Sequence, residues 1–221
     1  MVALLNGKLH FLLQQPQKSI YMKLETITFE CPFCCVSLKH ELPEYTDNDE
    51  IIRFSDGFTT YPGQSFFSKL VQCPVCNEVF LIDSIEDHQP CRNDNPCTET
   101  MEPAFDRYFE FLKNSALTPE QDLMIRLEIW HLGNHHPDRN SELLNDYDSK
   151  EKWIEHLDYL ETLLKETNPD ELLFKAELNR YLGRFTRSLE LLDKYQGDVP
   201  AKFIKTIRKK ISKGNTEVFE I

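Results

Sequence analysis

Two Cys-Pro-x-Cys pairs constrain this chain more than any other feature. Cys31 and Cys34 stand in "ITFECPFCCVSLKHEL", and Cys73 and Cys76 in "LVQCPVCNEVFLID". A Cys-x-x-Cys turn puts two thiolates on one side of a tight knuckle, and two knuckles supply the four ligands of a closed tetrahedral zinc site. Proline after the first Cys presets the turn, and the N–H groups beyond it are placed to donate to the sulfurs. Strand-like alternation flanks both pairs: "LETITFE" before Cys31, "SKLVQ" before Cys73, "EVFLID" after Cys76. The expectation is a small β zinc ribbon over 25–90, with Zn2+ held by Cys31, Cys34, Cys73 and Cys76. Four protein thiolates leave no open coordination position, so such a site builds fold rather than catalyses.

The competing reading is thiol-redox chemistry, because Cys-Pro-Phe-Cys resembles the active turn of glutaredoxins. That chemistry needs the first Cys at a helix N-terminus. The helix would have to run through "CVSLKHEL" and stop at Pro43. A second Cys-Pro-x-Cys would also be left without a purpose. The 38 residues of 35–72 between the pairs are long for a ribbon. An inserted hairpin and loop are expected there, with "SDG" and "YPGQ" as turns. Cys35 adjoins a ligand and is read as a small buried side chain. Cys91 and Cys97 bracket "RNDNP" in a linker over 91–102 and are read as free linker thiols, with a second weak site including His88 as the alternative. Seven cysteines, an odd number, without an export signal do not suggest a disulfide framework.

The 221 residues are 40% apolar and 28% charged, as in ordinary globular proteins. No apolar run reaches the roughly 18–20 residues of a membrane span, and a cytoplasmic location is expected. The net charge is −12, and residues 25–100 alone carry 14 acids against 4 bases. A ribbon that grips nucleic-acid phosphates usually presents a basic surface, so the acidic balance argues against a nucleic-acid factor. Residues 1–24 carry three lysines and no acid. They read as a flexible N-terminal extension, and "MKLETITFECPFC" makes Met22 an alternative start.

Helical periodicity takes over in 103–221. Phe105, Tyr108, Phe109 and Leu112 share one face, as do Leu123, Leu127 and Trp130, and then Trp153, Leu157, Leu160 and Leu164. "TPEQ" at Thr118 is a capping box, "NPDE" at Asn168 repeats the start signal, and Pro200 opens the last helix. The second helix is expected to end near Gly133. About six helices with short connections result. The overall expectation is α+β: a β zinc ribbon followed by an all-α array of helical hairpins.

"AELNRYLGRFTRSLELLDKY" resembles a tetratricopeptide-type helix hairpin. Ala176 is small where helices approach, Leu182-Gly183-Arg184-Phe185 makes the turn, and Ser188 and Leu189 pack back. With Cys31, Cys34, Cys73, Cys76, the "SDG" turn, and Arg126, Trp130, Asn134 and Arg139, the chain from about residue 25 resembles a bacterial family. That family joins a zinc ribbon to tetratricopeptide-like helices. The resemblance implies an architecture and brings no activity with it.

His131, His135 and His136 lie in "HLGNHHPDR", but no Glu sits in the zincin arrangement, and no phosphate loop or nucleophile elbow is present. They are read as exposed or capping histidines, and Arg126, Asn134 and Arg139 as one buried or groove-lining polar cluster. "AKFIKTIRKKISKG" carries six bases and no acid. Phe203, Ile204, Ile207 and Ile211 bury one face, and Lys209, Lys210 and Lys213 favour the helix end or meet an acidic partner. The functional expectation is a protein-interaction module, non-catalytic, with a structural zinc site and a helical groove for a protein or peptide partner. No membrane is involved. A redox enzyme and a nucleic-acid-associated ribbon are the alternatives.

Overall fold

Alternating residues on either side of each Cys pair form two antiparallel hairpins in the computed structural model, which describes residues 23–44, 52–60, 68–85, 97–135 and 147–221. β1 (Lys23–Glu30) pairs with β2 (Ser37–Glu44) from Lys23↔Glu44 to Glu30↔Ser37. Between them and the second Cys pair, β3 (Ile52–Arg53) and β4 (Thr59–Thr60) close the expected inserted hairpin around the Ser55-Asp56-Gly57 turn. β5 (Leu70–Gln72) pairs with β6 (Val79–Leu81). β7 (Thr98–Glu99) runs parallel beside β2. The stretch expected as linker therefore joins the two hairpins. Thr100 donates to the Lys39 carbonyl, and Met101 and Gln72 exchange two backbone hydrogen bonds. The expected flexible extension over 1–24 ends instead in β1, which takes in Lys23 and Leu24; residues 1–22, "YPGQ", His88, Cys91, His136 and Arg139 lie outside the described residues.

The helices are α1 (Phe105–Asn114), α2 (Pro119–His135), α3 (Tyr147–Leu163), α4 (Pro169–Tyr181), α5 (Phe185–Lys194) and α6 (Ala201–Ser212). The start signals act as their chemistry requires. Gln121 N–H donates to Thr118 Oγ1 and Thr118 N–H to Gln121 Oε1, while the Asn168 side chain accepts from Asp170 and Glu171. α4 and α5 form a hairpin in which Gly183 takes φ +73° and the Ser188 hydroxyl donates to the Ala176 carbonyl at 2.7 Å. Among the described residues no helix is long and apolar enough to cross a membrane.

Strand periodicity makes β5–β6 the wall between the two halves. Leu70, Val79 and Leu81 face the helical core, with Tyr108, Ile125, Trp130 and Trp153. The alternate residues Val71, Phe80 and Ile82 face the other way, packing with Phe29, Leu38, Cys31 and Cys73. A second helical cluster joins α4, α5 and α6 through Leu173, Ala176, Leu191 and Ile207.

Two expectations about α2 are corrected. It continues through Gly133 to His135, because Gly133 serves close packing: a Cβ there would lie 2.5 Å from the Trp153 ring. Its buried face also extends past Leu123, Leu127 and Trp130 to Ile125, Ile129 and Leu132, since neighbours cover it on more than one side.

Glu128 of α2 meets the start of β5. Its carboxyl is buried beside the Ser68 hydroxyl, which also touches Tyr108 OH at 2.7 Å. Ser68 has one hydroxyl proton, and the Leu70 carbonyl, which can only accept, lies 2.6 Å from its oxygen. A protonated Glu128 donating to Ser68 leaves the Ser68 proton free for the Leu70 carbonyl. Burial accordingly pushes the Glu128 pKa up to about 7. A raised carboxyl pKa contributes stability below the unfolded value, and that contribution is lost as pH rises through the folded one. Glu128→Gln should therefore match the parent near pH 4.5 and exceed it above pH 7, by on the order of 3 kcal/mol at most. Denaturant unfolding of both proteins across this range checks it.

Candidate metal centre

Each Cys pair sits in the same backbone loop. Cys31 N–H donates to Val36 O and Cys35 N–H to Cys31 O; Cys73 N–H donates to Glu78 O and Asn77 N–H to Cys73 O, all at 2.9 Å. The residue four places after the first Cys is left-handed in both, with φ +58° at Cys35 and +62° at Asn77. Cys35 is thus exposed at the loop's αL position, not buried as expected. Its side chain is directed away by the turn itself. Asn tolerates this conformation best among residues with a side chain, so Asn77 was the sequence signal for the position's geometry.

The two loops bring Cys31, Cys34, Cys73 and Cys76 together, with all four sulfurs within 4.8 Å of one another. Cys31 Sγ lies 3.8 Å from Cys76 Sγ, and Cys34 Sγ 3.7 Å from Cys73 Sγ. A tetrahedron of sulfurs about 2.3 Å from a central ion has edges of about 3.8 Å, so the cage fits a metal. Cys31 and Cys73 are buried, whereas Cys34 is exposed. The Val75 N–H points at Cys73 Sγ, 3.4 Å away. Burial pushes the Cys31 thiol up to about 12. Burial also works against the Cys73 thiolate, but the N–H groups of Cys76 and Val75 outweigh it and bring that thiol down to about 7. The helix that the redox reading requires after Cys34 is the strand β2. Cys97 is disulfide-bonded at the start of β7, in place of the expected free thiol, and its partner lies outside the described residues.

The polar residues of α2 belong to two separate seams rather than one cluster. Arg126 pairs with Asp122 at 2.7 Å, stacks on Tyr159, and holds buried His156 between its guanidinium and its carbonyl. Burial, then the Arg126 charge, lowers the His156 pKa to about 3. Asn134 is eight residues away, about 12 Å along the axis, and meets the inserted hairpin instead. Asn134 donates to Asp56 Oδ2 at 2.8 Å, the His135 ring nitrogen lies 2.9 Å from the same oxygen, and His131 Nε2 lies 3.0 Å from the Asp56 carbonyl. His131 and His135 therefore hold the hairpin and are half-buried, not exposed as expected.

Asp56 is fully buried. Burial works against its carboxylate, but hydrogen bonds from His135 and Asn134 hold its pKa below the ordinary value. The His131 charge contributes little at neutral pH, because desolvation lowers that ring's pKa and favours its neutral form. No family model matches the chain, and no curated protein or solved structure matches it.

Cys34→Ser should weaken zinc binding by more than about 100-fold, while Cys35→Asn leaves it unchanged; competition against a chromophoric chelator measures both. Lowering pH should release the ion as protons compete for the thiolates. Asp56→Ala should cost about 2–4 kcal/mol, seen in urea unfolding, with faster amide exchange over 52–60.

Proposed function

We propose that the chain is a zinc-binding protein-interaction module, built on a structural four-cysteine site and a helical scaffold. The observation that carries this reading is the cage of four sulfurs within 4.8 Å of one another, two of whose edges are 3.7 and 3.8 Å. A tetrahedral all-thiolate set suits zinc, and its four ligands complete the coordination shell. β1–β2 and β5–β6 act as a zinc ribbon, and α4–α5 as the tetratricopeptide-like hairpin of the bacterial family that the chain resembles. The bound ion supplies a fixed cross-link between the two knuckles. The protein's own contribution is to hold the sulfurs, orient them through backbone N–H groups, and present the knuckle tips.

Those tips support an interaction role. Phe33 and Val75 occupy the same place in the two loops and are 57% and 59% exposed. Exposed apolar residues on a rigid support are suited to a protein partner. Purified chain should contain one zinc per molecule by elemental analysis, and Cys73→Ser should contain none. Phe33→Asp and Val75→Asp should keep both zinc and melting temperature while abolishing zinc-dependent photo-crosslinking to the partner from position 78. A folded, metal-free protein would overturn the reading.

A further inference from the structure

The end of α6 carries a concentration of positive charge that no carboxylate among the described residues neutralises. All six described arginines from Arg107 to Arg208 pair with a carboxylate. Lys209, Lys210 and Lys213 have no acidic partner among the described residues. They line a cavity of about 500 Å³ with Thr206, Gly214 and Asn215, and no acid or aromatic residue lines it. Lys210 Nζ rests 4.9 Å above the ring of Phe219, which is not among the lining residues. The backbone is fixed on the other side: Gly214 turns at φ +64°, and buried Arg180 holds the Asn215 carbonyl at 2.5 Å.

We propose that this cavity binds a short carboxylate-rich segment of a partner protein. The proposal rests on the protein-interaction reading above and names the partner's chemistry. Three ammonium groups outweigh the roughly −0.5 charge of a helix C-terminus, which Lys213 caps. The net charge of −12 repels an extended polyanion, whereas a short acidic segment engages the three lysines within a Debye length of about 8 Å. A nucleic-acid strand would find no aromatic platform among the lining residues on which to stack its bases. Lysine, a flexible point charge, suits side-chain carboxylates that lack a fixed relative geometry.

The test is fluorescence anisotropy of a labelled hexaglutamate peptide with the full, zinc-loaded chain at low salt. Saturable binding is expected, weakened at least about tenfold in Lys209→Gln/Lys210→Gln/Lys213→Gln, retained in the triple Lys→Arg variant, and lost progressively as salt rises. Melting temperatures of both variants distinguish lost binding from lost fold. Absence of saturable binding, equal binding by the Gln variant, or tighter binding of a single-stranded oligonucleotide of equal charge would overturn the proposal. Elemental analysis of the same samples separates the two readings. A metal-free chain that still binds the peptide refutes the zinc site alone, and a zinc-loaded chain that ignores the peptide refutes this pocket alone.

Discussion

Four sulfurs drawn from loops some 40 residues apart lie within 4.8 Å of one another, with two pairs at 3.7 and 3.8 Å. As thiolates they would repel; a shared divalent cation turns that repulsion into a cross-link. The consequence reaches beyond the knuckles. Cys73 and Cys76 lie in the turn of β5–β6, the hairpin whose faces alternate between the ribbon core and the helical core. Fixing that turn therefore fixes the wall on which α1 and α2 pack. A three-residue strand pair has too few hydrogen bonds to be stable alone; apolar burial supports it on both faces, and an ion held by the four sulfurs would fix its turn.

Buried charge marks the other seams. Asp56 ties the inserted hairpin to α2. Arg180, paired with Glu177, binds the carbonyls of Asn215 and Glu217 and so draws the C-terminal tail across α4. Ser55 and Phe219 then exchange hydrogen bonds, and Ile221 N–H reaches Arg53 O, so the tail extends the small β3–β4 sheet. Each group would be costly without its partners, which makes alternative registers of hairpin and tail unfavourable. Gly57 belongs to the same junction: a Cβ there would overlap the Phe174 ring of α4.

Local patterns were the legible part of this chain. Cys-Pro-x-Cys spacing, the capping box at Thr118 and the stripe from Trp153 to Leu164 depend on near neighbours, and all three describe the molecule correctly. Long-range polar pairing was not legible. Nothing near "SDG" indicates that Asp56 meets a side chain 78 positions later. Nor does the helical pattern of α2 distinguish Glu128, held in a buried network, from a solvated acid. Gly133 misled for a related reason: a glycine inside a helix looks like a break until the ring packed against it is known. The continuation of the sheet through β7 was hidden because a two-residue strand leaves no periodicity to detect.

X-ray absorption at the zinc edge of the purified, untagged chain tests the central claim most directly. One zinc per molecule with four sulfur neighbours at about 2.3 Å is the result predicted. A shell containing nitrogen or oxygen in place of sulfur, or a folded protein with no metal edge at all, would contradict the account.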